Sequence, residues 1–251
     1  MNTSKLALLA IAALSLSACK KDKDDDDGHN HDDHDHNATI QAKFNFMYGA
    51  NAFDINANYT DGAGHAIRFS TLKFYASDFQ MNDDAGNVVA NYANTAVLAD
   101  AANSVAQTLG TMGHGHIHEA HFKLGLNNTV NHADPTAAAY PLNIPGMHWS
   151  WNPAAGYKFL NMEGHVDGNG DGDFDDAEDA TFTYHCATDA LLREDHVHSH
   201  HDVDGGIVTI TAKVDVALIL VGLDFLTNQM AMGGGAQAQS AMDNLVAAVS
   251  E

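Results

Sequence analysis

The chain has 251 residues, with 33 acidic side chains against 11 basic ones, 17 histidines and a formal net charge of −22. That balance excludes nucleic acid as a partner, because nothing would neutralise its phosphates, and leaves a lipid anchor as the only route to an anionic membrane. It suits a cationic partner or metal ions.

Residues 1–18 predict a lipoprotein signal peptide. Lys5 gives a short positive start, and Leu6 to Leu16 an apolar stretch too short to span a bilayer. Leu16-Ser17-Ala18-Cys19 then resembles the bacterial lipobox, which implies cleavage before Cys19 and lipidation of it. The mature chain is therefore expected to be exported, as an outer-membrane lipoprotein on the cell surface or the periplasmic face. Residues 19–37 read as a solvated tether: a Lys-Asp run, then His29, His31, His34 and His36 alternating with acidic residues. With Cys19 lipidated, Cys186 has no partner for an intrachain disulfide, and is expected to be buried or a soft ligand.

The remaining 38–251 is long enough for one sizeable core and is expected to be a single domain. Apolar alternation predicts strands over Thr39 to Asn45, Phe53 to Tyr59, Ala66 to Ser77 and His116 to Leu126. Asn82 to Asn87 reads as a turn, with Val88 to Tyr92 as the return strand. The Ala-rich stretch Ala93 to Val105 suggests a short helix. Lys158 to Val166 and Ala180 to Cys186 read as strands around an acidic loop, and Gly206 to Val216 is the clearest strand. Leu218 to Phe225 suggests another helical piece. After Gly233-Gly234-Gly235, Met242, Leu245, Val246 and Val249 fit one face of a C-terminal helix. The expected class is mainly β, an antiparallel β-sandwich with short helical segments.

Two histidine runs stand out. In His114-Gly115-His116-Ile117-His118-Glu119-Ala120-His121, a strand would turn His114, His116 and His118 to one side, and Glu119 and His121 to the other. Neutral imidazole suits copper, zinc, nickel or iron alike. The second run, His196 to His201, has acidic flanks and reads as a polar, metal-attracting loop. Asp167 to Glu178 fits a twelve-residue calcium loop. Asp167, Asn169, Asp171 and Asp175 fall at oxygen-ligand positions, Gly172 at the sharp turn, Asp173 at the carbonyl position and Glu178 at the end. Strand-like flanks point to a structural clamp.

The densest chemistry lies in Gly146-Met147-His148-Trp149-Ser150-Trp151, where imidazole, thioether and oxidisable indoles share one segment. This favours a soft redox metal, copper first. Together with Gly125-Leu126, Asn131-His132-Ala133-Asp134-Pro135, Tyr140-Pro141-Leu142, Gly156-Tyr157-Lys158-Phe159-Leu160, Glu163-Gly164 and Phe182-Thr183-Tyr184-His185, it resembles the MbnP-like family of exported copper-binding proteins. The resemblance implies a β-rich fold, copper binding and a dihaem cytochrome c peroxidase-like partner that oxidises a tryptophan to kynurenine. Trp149 and Trp151 are the candidates here, and His185 fits the family's strand-end histidine. His148 stands where another aromatic is expected, residues 152–155 lengthen the link to Gly156, and the acidic loop reads as an insertion. The copper candidates are His148 and His185, aided by His116, His118 or His121, with Met147 as a soft ligand. Trp149, Trp151, Tyr157 and Phe159 also read as an aromatic core stripe. With no nucleophile motif, no HExxH and no cofactor loop, binding without turnover is favoured. A zinc- or copper-dependent extracytoplasmic enzyme and a calcium-stabilised cell-surface interaction domain are the alternatives.

Overall fold

Ala38, Ile40, Ala42, Phe44 and Phe46 alternate with polar neighbours, and each is buried along one strand. That alternation recurs through a computed structural model of the chain, which describes residues 36–149 and 151–251. The expected signal peptide, Cys19 and most of the expected tether lie outside the described residues. No helix among the described residues is long and apolar enough to cross a membrane.

The strands fall into two sheets that face each other in a sandwich. The elements are β1 (Ala38–Tyr48), β2 (Asn51–Ala52), β3 (Asn58–Thr60), β4 (Ala66–Asn82), β5 (Val88–Asp100), β6 (Gln107–Met112), β7 (Gly115–Leu124), α1 (Asn128–Asn131), β8 (Lys158–Val166), β9 (Ala180–Ala187), β10 (Arg193–Val203), β11 (Gly206–Asp215), α2 (Val216–Ile219), β12 (Met230–Gly233), α3 (Ala236–Ala248) and β13 (Val249–Ser250). The first sheet runs β13-β11-β1-β2, with β6 also on β1. The second runs β10-β7-β4-β8-β9-β12, with β3 and β5 also on β4. Most pairings are antiparallel, but β1 with β11 and β9 with β12 are parallel. Phe44 of the first sheet meets Phe74 and Phe122 of the second edge to face, at centroid distances of 5.1 and 5.7 Å, which marks the core between them.

Three local expectations are corrected. Ala93 to Val105 holds no helix: β5 continues to Asp100, paired with β4, so tertiary pairing overrides alanine's helix propensity. Phe53 to Tyr59 is mostly turn, and its aromatics instead stack, Phe53 on Tyr59 at 4.8 Å. The C-terminal helix buries Met242 and Leu245 as expected, together with Ala238 and Ala241, but Val249 belongs to β13. Cys186 is buried, and burial pushes its thiol up to about 12.

The long strand β4 organises the second sheet. β5 lines one of its edges from Lys73 to Asn82. The other edge is therefore shared: β8 takes Ile67–Phe74 and β7 takes Ala76–Asn82. β9 and β10 run beside β8 and β7 in turn. Between β7 and β8 the chain leaves the sheet as an excursion, residues 125–157, which packs on the face turned away from the core. There Tyr75 is buried, donates its hydroxyl to Pro141 O at 3.0 Å and meets Tyr157 edge to face.

Candidate metal centre

Phe182, Tyr184 and Cys186 point into the core, so alternation turns Thr183 and His185 to the outer face near the end of β9. Across the ladder His185 pairs with Asn161 of β8. Its Nε2 lies 2.7 Å from Glu163 Oε1 and 3.1 Å from Lys158 Nζ. One nitrogen cannot donate to the carboxylate and accept from the ammonium at once, so neither imidazole tautomer satisfies both neighbours. Lys158 is a buried lysine, 7% exposed. Burial lowers its pKa, against the opposing charge of Glu163. Burial likewise lowers that of His185; the Glu163 bond opposes this and the Lys158 charge adds to it. The result is a neutral imidazole with a lone pair to offer.

Trp149 closes this corner. Its ring centre is 6.3 Å from that of His185, its indole is 4% exposed, and its Nε1 is buried with no hydrogen-bond partner. Such an orphaned donor costs about 1–3 kcal/mol. On the other side, β12 sets Met232 in register with His185, and Gly233 lies against the Trp149 ring. A thioether and an imidazole thus stand on neighbouring strands beside an indole, a donor set that suits soft copper.

The excursion is pinned to bring Trp149 there. Asn131, fully buried, accepts from Tyr157 N at 2.8 Å and donates to Asp189 Oδ1 at 2.8 Å. Asp189 sits just past β9 and also receives Asn128 and His132. Gly156 adopts φ +72°, and a Cβ there would meet Asn131 Oδ1 at 2.3 Å. Gly125, at φ +110°, leaves no room for a Cβ against the Phe159 ring. Much of the motif between residues 125 and 186 therefore holds the loop, while Trp149, Lys158, Glu163 and His185 form the corner.

The other expected copper ligands do not converge on it. Met147 is fully buried. His148, adjacent to Trp149 in an extended segment, turns away to meet Tyr157 edge to face at 4.9 Å, and burial lowers its pKa against the charge of Asp134. Of the aromatic stripe, Trp149, Tyr157 and Phe159 are buried, but Trp151 is 74% exposed and stacked on Trp149 at 5.2 Å. His116, His118 and His121 lie far off. His121 pairs with Gln80 and His185's ladder row ends at Lys73, and the seven steps between them along β4 span about 23 Å.

The second histidine run is not a loop. It is β10, hydrogen-bonded along β7, with Val197, Ser199 and Val203 turned inward and His196, His198 and His200 outward. The face expectation for β7 is also corrected. His118 and Glu119 are both half-exposed between buried Ile117 and Ala120, so the alternation slips there and His121 joins the same outer face.

In the acidic loop, Asp171, Asp173 and Asp176 bring carboxylate oxygens within 4.8 Å of one another. Asp176 was not among the expected ligands. Asp167 is buried and accepts from the backbone N–H groups of Gly170 and Gly172. Asn169 donates to Asp171 and Asp176, while Asp175 and Glu178 stand outside the group. The Asp175 N–H bond lowers the pKa of Asp173, but desolvation and the charges of Asp171 and Asp175 together raise it.

Sequence reasoning takes the β10 histidines only as a metal-attracting loop and does not mark Lys158, Glu163, Met232 or Asp84 as site residues. Lys158 and Glu163 were visible as charged residues inside an apolar strand; the others depend on strand register. The family model described as MbnP matches residues 37–242. The fold is similar to that of MbnP from Methylosinus trichosporium, with a TM-score of 0.55 and 18% identity over 80% of this chain and 82% of that one. No curated protein matches the chain.

Proposed function

The chain belongs to the MbnP family, and from that premise we infer that it is an exported copper-binding lipoprotein that acquires, stores or hands on copper without turnover. The observation that carries this reading is the convergence of Trp149, Lys158, Glu163 and His185 at one corner, each from a separate stretch of the chain. The His185 imidazole, through the ring nitrogen left by its Nε2–Glu163 bond, and the Met232 thioether are the proposed ligands. Glu163 orients the imidazole, and its charge offsets that of Lys158. Copper would supply a soft, redox-active centre there. A dihaem peroxidase-like protein is the proposed partner. The exposed Trp151 stacked on Trp149 supports that reading, because it joins the surface to an indole beside the metal corner. Trp149 is the proposed site of oxidation to kynurenine.

The decisive measurement is Cu(I) binding by the full chain and by His185→Ala under a competing chelator. The wild type should hold one more tight equivalent than the variant. Equal copper in both would sink the assignment. Intact mass and peptide mapping of protein isolated with its partner should place any kynurenine at residue 149.

We further propose calcium at the acidic loop as a structural clamp, supported by the crowding of Asp171, Asp173 and Asp176. Extracellular calcium modules bind at about 10⁻⁴–10⁻³ M. Millimolar calcium should therefore raise the melting temperature of the wild type and leave Asp171→Asn/Asp173→Asn unmoved.

A further inference from the structure

Pairing of β7 with β10 builds a feature that neither run shows alone. The register shift between His198 and His201 sets Ser199 and His200 against His118. Six imidazoles then succeed one another along the outer face. From His116 the ring centres step 6.2 Å to His200 and 4.5 Å to His118. They continue 5.4 Å to His198, 6.1 Å to His196 and 5.3 Å to His121.

Two carboxylates divide this stripe. Asp84 comes from the β4–β5 turn, which Asp83 fixes by accepting the N–H groups of Ala85 and Asn87. Asp84 Oδ1 is 3.0 Å from His118 Nδ1 and its Oδ2 is 3.5 Å from His116 Nε2. His118 Nδ1 is buried yet makes no aligned hydrogen bond, so its one close polar neighbour leaves it unsatisfied. Ligand atoms of Asp84, His116, His118 and His200 all lie within 4.8 Å of one another. Glu119, His196 and His198 form a second such group beside it, and Glu119 Oε2 also holds His121 at 2.7 Å.

We propose that the outer face of the β7–β10 edge is a separate metal platform, with Asp84, His116, His118 and His200 taking one borderline divalent ion, zinc or cupric, and Glu119, His196 and His198 a second. Three imidazoles and a carboxylate match the ligand number and type of a four-coordinate site for such ions. Both groups are built of imidazoles and carboxylates, a nitrogen and oxygen donor set that suits zinc or cupric ion. The half-exposed side chains keep the platform open to solvent, which suits capture and exchange more than permanent storage. This goes beyond the His185 reading and does not depend on it.

The test uses the full chain, stripped by chelator and titrated calorimetrically with Zn(II) and then Cu(II), with bound metal counted after desalting. His118→Ala/His200→Ala should lose one zinc equivalent or bind it at least about tenfold more weakly. His196→Ala/His198→Ala should lose the other, and His185→Ala should lose neither. The tether imidazoles are common to all variants and cancel in the comparison. Imidazole resonances of the wild type, monitored by NMR during the zinc titration, give a readout that needs no variant. Those of residues 116, 118 and 200 should shift together and saturate. Unchanged zinc count and affinity in the double variants, or resonances that move only for the tether histidines, would overturn the proposal. Loss of Cu(I) from His185→Ala with the platform intact separates the two readings.

Discussion

The outer face of the second sheet carries two imidazole-bearing regions, built in opposite ways. At the His185 corner a single imidazole is enclosed by a buried lysine, a carboxylate and an indole, with the 125–157 excursion clamped over it. On the β7–β10 edge six imidazoles stand half in water, spaced by the regular pitch of two strands and needing no loop to hold them. Enclosure makes the corner depend on packing and exposure makes the stripe depend only on register. Perturbations should therefore separate them: those that loosen the excursion act on the corner alone, and those that remove exposed side chains act on the stripe alone.

The largest expected effect comes from Asn131→Ala. It removes the acceptor for the buried Tyr157 N–H and one of the three side chains that hold Asp189, which should cost about 2–3 kcal/mol of folding stability. Denaturant melts should show that loss. Cu(I) binding should fall with it, while zinc binding on the stripe stays as in the wild type. Equal losses at both places would mean the two regions share one folding unit and would break the comparison.

Next is Met232→Leu, a volume-conserving change at a half-exposed position. If the Met232 thioether helps to hold copper, affinity for Cu(I) should drop by about tenfold, or ~1.4 kcal/mol, with stability nearly unchanged. Competition titration against a Cu(I) chelator reads this directly; an unaltered constant would leave His185 without its sulfur neighbour.

How legible each region was in the sequence obeys the same division. Strands with one apolar face, such as β1, β8, β9 and β11, announce themselves by alternation. β10 does not, because its outer residues are His196, His198 and His200, and its inner row includes Ser199, so an edge strand reads as a polar loop. The corner residues were legible as motif pieces, since Trp149 and His185 sit in recognisable segments. Their meeting with Lys158 and Glu163 was not, because it depends on β8 pairing with β9 at Asn161 and His185. His148 lies off the corner for a simple reason. Adjacent residues of an extended segment point apart, so only one of His148 and Trp149 could face His185. The stripe was the least legible, for it requires the register that sets His121 against His196 across 75 residues of chain.

Proton binding should also divide the regions. Burial lowers His185 below the ordinary value of 6.5, so the unfolded chain takes up that proton first. Stability tied to His185 is thus present above about pH 6.5 and is lost as pH falls through the folded value. His116 has the opposite sign. Its bond to Asp202, with Asp84 and Asp83 nearby, raises it against some burial. The stability contributed by that pair is fully present below the unfolded value and is lost as pH rises through the folded one. NMR titration should place His185 below 6.5 and His116 above it; coincident midpoints would erase the contrast.

The smallest expected effect concerns the metal-free stripe. His196 is exposed on an edge strand, and its 5.3 Å stacking on His121 is a surface contact. Exposed substitutions of this kind shift stability by no more than about 0.5 kcal/mol. His196→Ala should therefore melt with the wild type when both are stripped of metal, and diverge from it only when zinc is added, since a ligand stabilises the fold only through sites that bind it. A large loss in the stripped protein would mean that the histidines hold β10 to the sheet themselves. The row would then be a packing device, and its spacing would owe nothing to metal.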